Sequence, residues 1–191
     1  MVRAFVPAPL PPSAEVVNPA LRRGPFRVAL FDFDGTLSLI REGWPGVMVD
    51  LMLARLRAQD LVREPEAECA AHVEDIVMAL NGHPTIRQME RFAEEVAARG
   101  GTPDAPAVYL RDYLDALMGV VRGRWEALES GGAKPEDWVV PNAHGVLAEF
   151  RRRGVPLFVA SGTDLAHVAR EVDLLGLAPH VAGRVFAPKD N

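Results

Sequence analysis

The sequence predicts an α/β protein, a parallel sheet interrupted by a long all-helical insertion. Three observations carry this prediction. Two apolar runs, Val28–Phe31 and Pro156–Ala160, each end in a polar cluster, Asp32-Phe33-Asp34-Gly35-Thr36 and Ser161-Gly162-Thr163-Asp164. Roughly 100 residues between them, 38–138, show helical rather than strand periodicity, far beyond an ordinary connection. From residue 141 onward helix and strand patterns alternate, as parallel strands with right-handed crossovers require.

The elements follow in order. Residues 1–25 carry six prolines and no periodicity, and read as an extended arm. The first strand, 27–32, stops at Asp34-Gly35, a strong turn signal. At strand period Asp32 and Asp34 point one way and Phe31 and Phe33 the other.

Four helical patterns fill the insertion: Trp44 to Arg57, Pro65 to Leu80, Thr85 to Arg99 and Ala107 to Leu128. Each has an apolar stripe, and Asn81-Gly82 and Gly100-Gly101 act as stops. A helix from Asn142 to Arg153, with Val146, Leu147 and Phe150 facing inward, precedes the second strand. That strand is uninterruptedly apolar, the pattern of one covered on both faces. A helix over Leu165 to Leu175 and a strand over Val181 to Phe186 complete a Rossmann-like sheet. The expected organisation is an arm (1–25), a core (26–37 and 139–191) and a helical cap (38–138).

Composition narrows the function. The 191 residues are 49% hydrophobic and 25% charged, with 21 basic and 26 acidic side chains and a net charge of −5. No basic block beyond Arg151–Arg153 stands out, which argues against a nucleic-acid partner. No stretch approaches 18 apolar residues, which argues against a membrane span. One cysteine, Cys69, on a helical pattern allows no internal disulfide, and with no secretory signal the expected location is cytoplasmic. The five histidines lack metal-ligand spacing.

Ligands of parallel sheets gather at the carboxyl ends of the strands, where both polar clusters fall. Two carboxylates about 6–7 Å apart repel unless a cation lies between them, and magnesium takes carboxylate and carbonyl oxygens. A carboxylate becomes a nucleophile toward phosphorus when a cation offsets the approach of two anions. A hydroxyl and the positive end of the helix from Leu165 supply further stabilisation.

At these residues a resemblance becomes specific. Phe31-Asp32-Phe33-Asp34-Gly35-Thr36-Leu37 resembles the first motif of the haloacid-dehalogenase-like (HAD) hydrolase superfamily, and Val159-Ala160-Ser161-Gly162-Thr163 its second. The layout resembles members with a helical cap after the first motif, such as phosphoglycolate and phosphoserine phosphatases. The resemblance implies a magnesium-dependent phosphomonoester hydrolase working through an aspartyl phosphate on a small phosphorylated metabolite. Asp32 is then the nucleophile and Asp34 the acid and base. Magnesium is held by Asp32 and by the main-chain carbonyl of Asp34. Ser161, Gly162 and Thr36 bind phosphate, and Thr36 also orients Asp34 or caps the segment after it. Arg41, Trp44 and Thr85, at the mouth or on the cap turn, are the candidates for substrate specificity.

The family pattern also asks for a later basic residue and later acids. Lys189 is a candidate for the first, while Asp190 directly after it cannot be the second. The resemblance thus implies a C-terminally incomplete core whose first strand has an unpaired apolar edge. A longer chain, the arm or a homodimer would cover such an edge. A non-catalytic oligomerising or binding module is one alternative function, and a dehalogenase-type hydrolase is another, which Asp34 disfavours.

Overall fold

The computed structural model describes residues 27–189 together with residues 15, 17, 18 and 20. The remainder of the expected arm, and Asp190, lie outside the described residues.

Strand β1 (Ala29–Asp32) is followed by four helices, α1 (Trp44–Arg57), α2 (Glu66–Ala79), α3 (Thr85–Ala98) and α4 (Pro106–Glu129). Then come a 3₁₀ turn (Pro135–Asp137), α5 (Ala143–Arg152), β2 (Leu157–Ala160), α6 (Leu165–Leu174), the single turn α7 (Ala178–Val181) and β3 (Val185–Phe186). The strands form one parallel sheet in the order β1-β2-β3. Asp32 is registered on Ala160, and Ala160 on Phe186.

The helical cap has its own interior. Helix α1 packs on α2 and α4, and α3 packs on α2 and α4. Their stripes meet in a core that includes Met48, Met52, Phe92, Tyr109 and the free thiol Cys69, all fully buried. Burying a side chain of this size contributes about 1.5–3 kcal/mol, which is how residues without strand pattern form an ordered body. Cap and core are joined by two chain segments lying side by side. Leu39 N–H donates to Trp138 O (2.8 Å) and Val140 N–H to Leu37 O (3.1 Å). From α4, Arg124 Nη1 donates to Ile40 O (2.6 Å) and Glu42 O (2.8 Å), while its guanidinium stacks 4.4 Å from the Trp138 ring. One cap side chain thus grips both connecting segments.

Three expectations need correction. The strand expected over Val181 to Phe186 is only Val185–Phe186. Pro179 starts a helical turn that buries Val181, and Ala182 (φ 47°) and Gly183 (φ 74°) break the extended run. Strand β2 is covered on one face, not both. Leu157 and Val159 are buried, but Phe158 and Ala160 are half-buried, and Leu30 beside them is 67% exposed. Val146 does not face inward either: α5 buries the stripe of Ala143 and Leu147, leaving Val146 40% exposed.

The expected edge is present. β1 pairs only with β2, and among the described residues nothing pairs with its other side. No helix among the described residues is long and apolar enough to cross a membrane.

Candidate active site

The chain turns sharply after β1 because one carbonyl collects three amides. Phe33 O accepts from the N–H groups of Thr36 (3.2 Å), Leu37 (2.9 Å) and Ser38 (3.0 Å). Gly35 supplies the left-handed residue of this turn (φ 75°), and the ring of Phe33, fully buried, anchors it. Asp32 is thereby left exposed at the strand end, its Oδ2 accepting from Thr36 Oγ1 at 3.1 Å. Thr36 therefore touches Asp32, not the Asp34 side chain.

Asp34 is the more heavily engaged of the two acids. Its Oδ2 accepts from Ser161 Oγ (3.2 Å) and Thr163 Oγ1 (2.8 Å), and its Oδ1 from Arg41 Nη1 (3.1 Å). The polar cluster after β2 thus meets the one after β1. Thr163 N–H donates to Ser161 Oγ (3.1 Å), fixing the rotor, and Asp164 caps α6 by accepting from Ala166 N–H (2.8 Å).

Arg41 also reaches the Glu171 carboxylate, at 2.7 Å. Glu171 is fully buried on α6 and the Arg41 side chain is 11% exposed, so the guanidinium lies between two carboxylates largely out of water. Burial pushes the Glu171 carboxyl above its usual range, and Arg41 opposes that shift. Burial likewise pushes the Tyr113 phenol up to about 12.

Two cavities flank Asp34 and Arg41. The first, about 440 Å³, is walled by Ser38, Glu42 and Trp44. The second, about 720 Å³, lies between cap and core and is lined by Thr85 and His83 from the cap and by Gly162 and Thr163 from the core. Arg41, Trp44, Thr85 and Gly162 are therefore all gathered around Asp34. Asp32, Thr36, Ser161 and Lys189 line neither cavity. Lys189 is exposed and makes no hydrogen bond or ion pair among the described residues. No group of three or more His, Cys, Asp or Glu side chains able to hold a metal ion occurs among them.

Sequence reasoning assigned no role to Thr163 or Glu171. For Glu171 a signal exists: an acid on the inward stripe of α6, beside Val168 and Val172. Its partner Arg41 lies 130 residues away, and that distance hides the pair.

Solved structures similar to this chain include two that share its fold. A phosphatase candidate from Clostridium difficile superposes with a TM-score of 0.54 at 11% identity, over 87% of this chain and 63% of that one. A HAD hydrolase of family IA, variant 3, from Entamoeba histolytica gives 0.51 at 15% identity, over 85% and 61%. A HAD family hydrolase from Deinococcus radiodurans gives 0.49 at 18% identity, over 86% and 58%. The chain thus spans roughly three-fifths of the length of these structures. No curated protein sequence matches it significantly. The model of the family described as haloacid dehalogenase-like hydrolase matches residues 26–190, and the chain belongs to that family.

Proposed function

We propose that the chain carries the nucleophile half of a magnesium-dependent phosphomonoester hydrolase acting on a small phosphorylated metabolite. The observation that carries this is the convergence on Asp34, two residues beyond an exposed Asp32, of Arg41 and the hydroxyls of Ser161 and Thr163.

Asp32 attacks phosphorus through Oδ1, which accepts no hydrogen bond among the described residues, while Thr36 steadies Oδ2. The P–O bond to the alcohol breaks as the Asp32 acyl phosphate forms, and Asp34 gives the departing oxygen its proton. Asp34, then ionised and held by its three donors, takes a proton from the water that cleaves the acyl phosphate and regenerates Asp32. Ser161, Gly162 and the N–H groups at the start of α6 would steady the phosphoryl group.

The residues fit a magnesium ion in part. Asp32 Oδ1 and the Asp34 main-chain carbonyl are hard oxygens that accept no hydrogen bond among the described residues. Magnesium takes about six oxygens and usually keeps several waters, so these two suffice to begin a site. When bound, the ion offsets the repulsion between the Asp32 carboxylate and an incoming phosphate.

The test is phosphate release from 4-nitrophenyl phosphate, with and without magnesium. Release that needs magnesium and vanishes in Asp32→Asn supports the proposal. Release that survives Asp32→Asn overturns the role of Asp32, and halide release in the presence of chelator favours a dehalogenase. A second reading, a binding module without turnover, draws on the isolation of Lys189 and expects no release under any of these conditions.

A further inference from the structure

We infer that the alcohol half of the substrate is bulky, uncharged and largely apolar, an aromatic or branched-alkyl alcohol rather than a small hydroxy acid. This rests on reading the site as a phosphomonoester hydrolase.

Size is the first ground. The cavity between cap and core measures about 720 Å³ and has Asp34 in its lining. A two-carbon hydroxy acid would leave most of that space to water, while an aromatic or branched-alkyl body would fill far more of it.

The second ground is the character of the cap wall. Helix α4 presents Tyr113, Leu114, Leu117 and Met118 to the cavity, and Pro84 adds to them from the turn before α3. Leu114 is 46% exposed, so an apolar side chain is held open toward the cavity rather than closed into the cap core. Tyr113, whose phenol burial keeps protonated, adds a ring without adding charge.

Charge is the third. Arg41 is the only arginine or lysine among the residues lining this cavity, and it is already paired with Asp34 and Glu171. Asp34 contributes a carboxylate to the same lining. His167 stands against the Trp125 ring, 5.3 Å between centroids. A carboxylate or second phosphate on the leaving group would therefore meet no arginine or lysine in this lining beyond the already paired Arg41, only the imidazoles of His83 and His167, which disfavours phosphoglycolate and phosphoserine.

The test separates binding from turnover. Two phosphonates that cannot be hydrolysed, 3-phenylpropylphosphonate and 3-phosphonopropionate, are titrated calorimetrically into the chain with magnesium present. The phenyl compound is expected to bind at least about tenfold more tightly, the discrimination an apolar pocket commonly supplies. Leu114→Lys, at a half-exposed helical position that tolerates the change, is expected to erase this preference and tighten the carboxylate compound. Equal or tighter binding of 3-phosphonopropionate by the unaltered chain, binding of neither compound, or an unchanged preference in Leu114→Lys overturns the inference. Retained preference without phosphate release from 2-phenylethyl phosphate supports the apolar character of the pocket and overturns the hydrolase reading.

Discussion

Arg41 and Glu171, 130 residues apart in sequence, form a 2.7 Å ion pair almost wholly removed from water, and the same guanidinium nitrogen contacts Asp34 at 3.1 Å. A buried pair is costly to break from one side, because the charge left behind loses its partner without regaining water. Glu171→Leu alone, and Arg41→Met alone, should each destabilise the fold by about 3–5 kcal/mol in urea titration, whereas the double variant recovers most of the loss. Additive losses would show that the pair is not coupled.

The strap from Arg124 makes a local prediction. Its two hydrogen bonds to Ile40 and Glu42 and its stacking on Trp138 grip the segments joining cap to core. Arg124→Met should lower hydrogen-exchange protection at the Leu39 and Val140 amides by about 1.5–3 kcal/mol, the worth of a hydrogen bond from a charged donor. Amides inside the cap core, such as that of Phe92, should be unaffected.

These two side chains mark the limit of what could be read from the chain itself. The four cap helices were legible to within a residue or two because each buries one periodic stripe, as Met48, Met52 and Leu56 do on α1. The meeting of the two polar clusters was legible too, since parallel strands bring their carboxyl ends together. What escaped depended on partners distant in sequence. Glu171 looks like a lapse in an apolar stripe until Arg41 is placed beside it. The third strand was overread because Val181 satisfies a helix as readily as a strand, and only the left-handed Ala182 and Gly183 decide between them. The apolar run of β2 suggested two covered faces, while a half-buried Phe158 has the same spelling as a fully covered one.

Gly35 offers a test of the turn that positions both acids. Its φ of 75° suits glycine, and a Cβ there would meet no atom within 4 Å, so the cost of substitution is purely conformational. Gly35→Ala should destabilise the fold by about 1–2 kcal/mol in urea titration. A d-alanine placed at the same position by semisynthesis should remove that loss.

The imidazoles of His144 and His180, 3.4 Å apart at their nearest nitrogens, predict a pH effect. Burial, followed by His144 and Arg151, holds the His180 pKa below its usual 6.5. The folded chain therefore binds fewer protons than the unfolded chain through this range, and stability falls as pH falls. Between about pH 7 and pH 5.5 the unaltered protein should lose more stability than His180→Gln in parallel urea titrations. Glu171, raised by burial, contributes with the opposite sign in both proteins, so their difference isolates the imidazole.

The flank of β1 that is unpaired among the described residues bears on how the chain behaves in bulk. Amides and carbonyls along that flank form half a ladder, and Val28 and Leu30, 56% and 67% exposed, lay an oily strip beside it. Two copies brought together at high concentration can complete one another's ladder and stack their strips. Colloidal stability is thereby tied to a four-residue strand, and Leu30→Lys is expected to improve solubility.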